Sequence, residues 1–123
     1  MDIQKALIAF ETLSQETRLK AFRLLVGYGE SGAAAGVISD SLGVPHNTLS
    51  FHLSHMSRAG LIVPRREGRS IIYTVNFEAF QDLLRFMIED CCSSEVANIR
   101  DSKSRKCTLI ELVNLPNSCA EGC

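Results

Sequence analysis

Residues 36–75, GVISDSLGVPHNTLSFHLSHMSRAGLIVPRREGRSIIYTV, decide the fold. GVISDSLGV predicts a short helix stopped by Gly43, since glycine readily adopts the conformation that ends a helix. PHNTLSFHLSHMSRAG predicts a second helix, closed at Gly60. Leu49, Leu53 and Met56 share one of its faces; Asn47, Ser50, Phe51, Ser54 and Arg58 fall within about 60° of the opposite side at 100° per residue. Two helices around a short glycine-containing turn, the second with a mostly small and polar outward face, form a helix–turn–helix layout. LIVPRREGRSIIYTV then reads as a hairpin: two β-rich runs around a glycine-containing turn. Pro64 marks an edge strand, because proline has no N–H to give to a ladder.

In such units the N-terminal part of the second helix enters the major groove of DNA. His46, Asn47, Thr48, Ser50 and Phe51 would then approach base edges, with Asn47 able to pair bidentately with adenine and Phe51 to cover a thymine methyl. Arg65, Arg66 and Arg69 in the hairpin would reach phosphates or the adjacent minor groove. His52 falls nearer the buried face and reads as a structural histidine at the core edge; His55 reads as facing solvent or phosphate. Arg58, Arg65, Arg66 and Arg69 against Glu67 give residues 44–73 a local net charge of +3 in a chain of formal net charge −1, so the remainder carries −4. Phosphate binding needs a local basic patch rather than a basic total.

Outward from this centre, Ile3, Ala6, Leu7, Phe10 and Leu13 recur at helical spacing in DIQKALIAFETL, an amphipathic helix. Ser14 is expected to cap a second helix, SQETRLKAFRLLVGYG, with Leu19, Phe22, Leu25 and Val26 inward and Gly27/Gly29 as its stop. ESGAAAG is expected to be a loop. On the far side, NFEAFQDLLRFMIEDCC predicts a terminal helix with Phe77, Phe80, Leu84, Met87 and Cys91 at 3,4,3,4 spacing, widened by Leu83 and Ile88. So broad an apolar surface fits either a well-buried helix or packing against a second subunit. The organisation expected is a DNA-binding and dimerisation domain over residues 1–93 and a polar, weakly periodic, cysteine-containing tail over 94–123.

With 46% apolar and 22% charged residues, the 123-residue chain has globular composition and enough length for one modest core. No apolar run approaches the roughly 18–20 residues that span a bilayer. The N-terminus lacks the basic and apolar regions of a secretory signal, which points to the cytoplasm, where thiols stay reduced. Five cysteines, an odd number and all in the last third, do not form a disulfide framework. Cys91 and Cys92 are adjacent, and neighbouring Cα atoms lie about 3.8 Å apart, short of the roughly 4.4–6.8 Å that disulfides span. Two thiolates offered to one soft ion is the better reading.

The order of helices, recognition helix, β-wing and terminal helix, with TRLKAFRLL, ISDSLGVPHNTLSFHLSHMSRAGLI and RREGRSIIYTV, resembles the ArsR/SmtB family of winged-helix, metal- and metalloid-responsive repressors, over roughly residues 4–92. The resemblance implies a mainly α fold with a β-hairpin wing, a homodimer joined through terminal helices, and recognition of an inverted repeat in double-stranded operator DNA. The Cys-x-Cys arsenic site at the start of the third helix is absent here, since that region reads AAAGVISDSLGV. No histidine follows His55, which leaves the Asp/His divalent-metal sites of the terminal helix unsupported. Vicinal cysteines ending the terminal helix resemble arsenical-responsive members in which that pair and one downstream cysteine bind trivalent arsenic through three sulfurs. The ligands implied are Cys91, Cys92 and a third, for which Cys107 is chosen: Arg100, Lys103, Arg105 and Lys106 favour its thiolate. Cys119 and Cys123 remain alternatives. The effector expected is As(III), with Sb(III) as a second soft candidate, and no constitutive cofactor.

Three other readings compete. A redox or persulfide switch would keep the DNA-binding domain and make a disulfide such as Cys92–Cys107 the effector state. A thiol enzyme is disfavoured, because the cysteine pair ends a helix among acidic neighbours rather than opening one in a positive pocket. A structural zinc site would predict loss of fold on chelation, whereas the apolar helices suffice without metal.

Overall fold

The computed structural model describes residues 1–89; the expected ligands Cys91, Cys92 and Cys107, the expected boundary at residue 93 and the tail 94–123 lie outside the described residues. The element order is α1 (Ile3–Leu13), α2 (Glu16–Tyr28), a 3₁₀ turn (Gly29–Ser31), β1 (Ala33–Ala34), α3 (Ala35–Leu42), α4 (His46–Arg58), β2 (Ile62–Glu67), β3 (Ser70–Val75) and α5 (Phe77–Ile88). The strands form one antiparallel sheet in the order β1-β3-β2. This is a helical domain carrying a small sheet as its wing.

Leu25, Ile38, Leu49, Leu53, Met56 and Ile62 are sealed from solvent and bring α2, α3, α4 and the root of β2 into one core. The face of α4 expected from its spacing, Leu49, Leu53 and Met56, is fully buried. Burying side chains of this size contributes about 1.5–3 kcal/mol each. Val75 and Leu61 close the lower edge, and α5 adds Leu83, with Phe80 set edge-on to Phe22 at 5.1 Å between ring centroids.

Several expectations are corrected. Ser14 does not open α2: it ends α1, its hydroxyl donating to the Glu11 carbonyl at 2.7 Å. Gln15 takes the capping role, Oε1 accepting from the Arg18 N–H at 2.9 Å. Gly29 alone stops α2, while Gly27 lies inside the helix. Leu19, expected inward, is exposed. ESGAAAG is not a loop throughout: it takes in the end of the 3₁₀ turn, β1, paired as Ala33↔Tyr73 and Ala34↔Ile72, and the first two residues of α3. Alanine is a weak strand former, so this strand exists because β3 offers it a free edge.

The stripe of α1 also divides differently from its spacing. Ala6, Ala9 and Thr12 face the core, where small side chains allow close packing, while Ile3, Leu7 and Phe10 point outward. The stripe of α5 divides likewise, with Leu83 inward and Leu84 and Met87 outward. Met87 and Ile3 keep 58% and 57% of their surface exposed, a cost in water that a second apolar surface would relieve. The two helices pack against each other.

Candidate nucleic-acid interface

The turn between α3 and α4 consists of Gly43, Val44 and Pro45. Gly43 takes φ 66°, ψ 33°, the left-handed conformation that costs glycine least. The Val44 N–H donates to the Ser39 carbonyl at 3.2 Å, and the Ser39 hydroxyl returns a bond to the Val44 carbonyl at 2.5 Å. Ser39 is buried, so these two bonds fix the turn from inside and set the angle at which α4 leaves it. Pro45 is the N-cap residue of α4 at φ −54°, a position whose N–H takes no part in the helical ladder, so its missing donor costs the helix no bond.

His46, Asn47, Thr48, Ser50 and Phe51 are all exposed on the first two turns of α4; Asn47, Ser50 and Phe51 are those the helical spacing placed on the outward face. Phe51 keeps 65% of its surface in solvent, more than any other large apolar side chain of the described residues. A phenyl ring left so open on an otherwise polar face suits an apolar partner such as a thymine methyl. His52 lies one step round, half-buried, as expected for a core-edge histidine. His55, expected to face solvent, is half-buried instead, because Met56 and Leu53 draw that side of α4 toward the core.

The hairpin β2–β3 closes through Gly68 and Arg69, with Gly68 at φ 61° as a tight two-residue turn requires. Pro64 sits opposite Tyr73 on the edge strand β2, the position its missing N–H demands. The three wing arginines are all exposed but not equivalent. Arg65 is engaged within the protein: Nε pairs with Glu67 at 3.1 Å and an Nη donates to the Ser31 carbonyl at 3.3 Å. Among the described residues, Arg66 and Arg69 make no side-chain hydrogen bond or ion pair.

Helix and wing meet in an open cleft of about 350 Å³ lined by Gly36, His46, Ser50, Arg69 and Tyr73 among others. The structure therefore brings the start of α4 and the wing tip to one surface. Sequence spacing missed Tyr73 and Gly36 here, since their role depends on the β1–β3 pairing that places α3 beside the wing. Among the described residues, no three His, Cys, Asp or Glu side chains come close enough together to hold a metal ion. No helix of the described residues is long and apolar enough to cross a membrane.

Comparison with known proteins agrees with this geometry. Residues 13–65 match the family model of a helix–turn–helix domain. The chain is 30% identical over 79 residues to the transcriptional repressor SdpR of Bacillus subtilis, covering 64% of this chain and 84% of SdpR. Among solved structures, reduced HlyU from Vibrio cholerae superposes with a TM-score of 0.56 at 24% identity, over 72% of this chain and 90% of that one. The homodimeric winged helix–turn–helix DNA-binding domain Mb0332 of Mycobacterium bovis, a possible ArsR-family transcriptional regulator, gives a TM-score of 0.58 at 20% identity, over 72% and 82%.

Proposed function

The chain belongs to the helix–turn–helix transcriptional regulators, and from that premise we propose that it is a cytoplasmic, homodimeric repressor of the ArsR type, released from operator DNA by trivalent arsenic or antimony. The observation that carries the DNA part is the cleft in which His46 and Ser50 of the exposed start of α4 meet Arg69 of the wing, with Arg66 exposed on the neighbouring strand. His46, Asn47, Thr48, Ser50 and Phe51 read base edges; Arg66 and Arg69 hold phosphates; Arg65 positions the wing through Ser31 and Glu67 while adding charge. Ile3, Leu7 and Phe10 with Leu84 and Met87 form the face on which a second copy docks, giving two recognition helices for an inverted repeat. The repressor SdpR and the homodimeric Mb0332 domain support this reading.

For the effector, the adjacent thiols Cys91 and Cys92 begin three positions after Ile88, the last residue of the helix that bears Leu84 and Met87, so gathering them with Cys107 around one soft ion acts on the dimer face. Ligand and DNA then oppose each other through a reciprocal coupling of typically about 1–3 kcal/mol. Fluorescence anisotropy of the reduced protein on its own upstream DNA, titrated with arsenite, tests this. Release in the wild type and retention in Cys91→Ser and Cys92→Ser is expected. Retention by the wild type in saturating arsenite sinks the metalloid assignment.

A second reading has its own support. The fold neighbour HlyU is known in a form named reduced, and vicinal thiols followed by further cysteines in the sequence suit a redox switch. In that case a mild two-electron oxidant joins Cys92 to Cys107, taking two electrons and two protons from the thiols. Release from DNA by oxidant in the absence of metalloid, reversed by dithiothreitol, would select it.

A further inference from the structure

Arg18, on the first turn of α2, makes three bonds to three different parts of the molecule. Its backbone N–H is capped by Gln15 Oε1. Its Nε donates to the Thr12 carbonyl at 2.6 Å, at the end of α1. Its Nη1 lies 3.1 Å from Nδ1 of His52, in the middle of α4. The Thr12 carbonyl is one of those a helix leaves unpaired at its C-terminus, where a cation is favoured. Thr12 itself is buried, its hydroxyl held by the Ile8 carbonyl at 2.7 Å, so this anchor does not swing.

Arginine has donors only, so His52 must accept at Nδ1 and carry its proton on Nε2. Burial, the Arg18 charge and then His55 all hold His52 below the ordinary imidazole range, which keeps that acceptor available. The Phe51 ring rests edge-on to the His52 ring at 5.9 Å. Fixing His52 therefore also steadies the exposed Phe51. None of these groups belongs to the turn Gly43–Pro45, so this second constraint on α4 is independent of the Ser39–Val44 clasp.

We propose that Arg18 is a positioning residue for DNA recognition: its guanidinium is a strut that fixes the orientation of α4 relative to α1, and so relative to the α4 of a second copy docked on the α1/α5 face. The inference rests on the dimeric DNA-binding reading above. α1 carries the outward Ile3, Leu7 and Phe10, so a strut between α1 and α4 sets the distance between half-sites that a dimer can read. Phosphate contacts tolerate a loose α4, whereas simultaneous base contacts in two half-sites do not.

The test uses the reduced full-length protein and a duplex selected by the wild type from a random pool, with a second version carrying one extra base pair between half-sites. Arg18→Lys keeps the charge but lacks the fork that reaches both acceptors; His52→Leu removes the acceptor; His52→Asn returns an oxygen at the position of Nδ1. Arg18→Lys and His52→Leu are expected to lose about tenfold on the selected duplex, to change by less than about twofold on unrelated DNA, and to discriminate poorly against the added base pair. His52→Asn is expected to restore both affinity and spacing preference. Nitrogen-15 spectra should show the wild-type His52 as the Nε2–H form, and Arg18→Lys as a tautomer mixture.

An Nδ1–H form in the wild type overturns the strut regardless of what the protein does with DNA. Equal losses on selected and unrelated DNA together with a lowered melting temperature overturn it too, since that is a stability effect alone. Selection of no sequence by the wild type would instead defeat the DNA-binding reading, and the spectra would still judge the Arg18–His52 bond.

Discussion

Asn47 and Arg66 are both exposed polar residues, yet substitutions at the two should leave different signatures. Asn47→Ala is expected to weaken the selected operator by about 1–3 kcal/mol and to relax preference at one base pair, with unrelated DNA unaffected. Arg66→Ala should weaken all duplexes alike and reduce the salt slope by about 1. Anisotropy titrations at several salt concentrations separate the two, and a sequence-selective effect of Arg66→Ala would reverse the assignment. His52 supplies a prediction in pH. Its folded-state pKa lies below the ordinary 6.5, so just below that value the folded protein binds fewer protons than the unfolded chain. Stability is then expected to fall as pH drops from about 6.5 through the lowered value, and to be indifferent to His52 above it. Urea midpoints between neutral and acidic pH should show a shallower slope for His52→Asn than for the wild type. Identical slopes would mean that His52 is not held neutral by its neighbours.

The elements differ in how far their sequence declared them. The buried face of α4, the Gly43 turn and the hairpin with edge Pro64 were readable, because periodicity, a left-handed glycine and a missing N–H each act within a few residues. The strand at Ala33–Ala34 was not, since two alanines carry no strand signal and the pairing comes from residues 72 and 73. Nor was the outward turn of Ile3, Leu7 and Phe10: spacing shows that a helix has an apolar stripe, but only packing shows which part meets its own core. Gly32 tests the importance of the unread strand. It sits at φ 67°, and a Cβ there would lie 2.6 Å from Thr74 Cγ2, 2.9 Å from Ile72 Cγ2 and closer still to the Tyr73 carbonyl. Gly32→Ala is therefore expected to cost at least about 2 kcal/mol, combining backbone strain with displacement of β3. Gly27→Ala, within α2 and with nothing inside 4 Å of the added carbon, should instead stabilise by about 0.5–1 kcal/mol. Urea melts of both variants check the pair, and a harmless Gly32→Ala would mean that β3 shifts freely.

At the scale of the whole molecule, the outward apolar residues of α1 and α5 decide whether one copy acts alone. Leu7 and Met87 are 53% and 58% exposed, so Leu7→Asp with Met87→Asp should leave the monomer fold intact while removing the docking surface. Sedimentation velocity is expected to show a dimer for the wild type and a monomer for the double variant, with affinity for an inverted repeat falling toward that for a single half-site. A dimer that survives both changes would move the interface elsewhere. The wing has a mechanical consequence at the same scale. Its sheet is three strands wide only where Ala33 and Ala34 meet Tyr73 and Ile72; beyond Ile72 it continues as two strands to the Glu67↔Ser70 pair. The ribbon is thus a cantilever, clamped at its root to the start of α3 and bearing Arg66 and Arg69 near its free end. A cantilever yields most at its tip and least at its clamp, so the outermost charges can follow a curving duplex while the helix beside the clamp keeps its register.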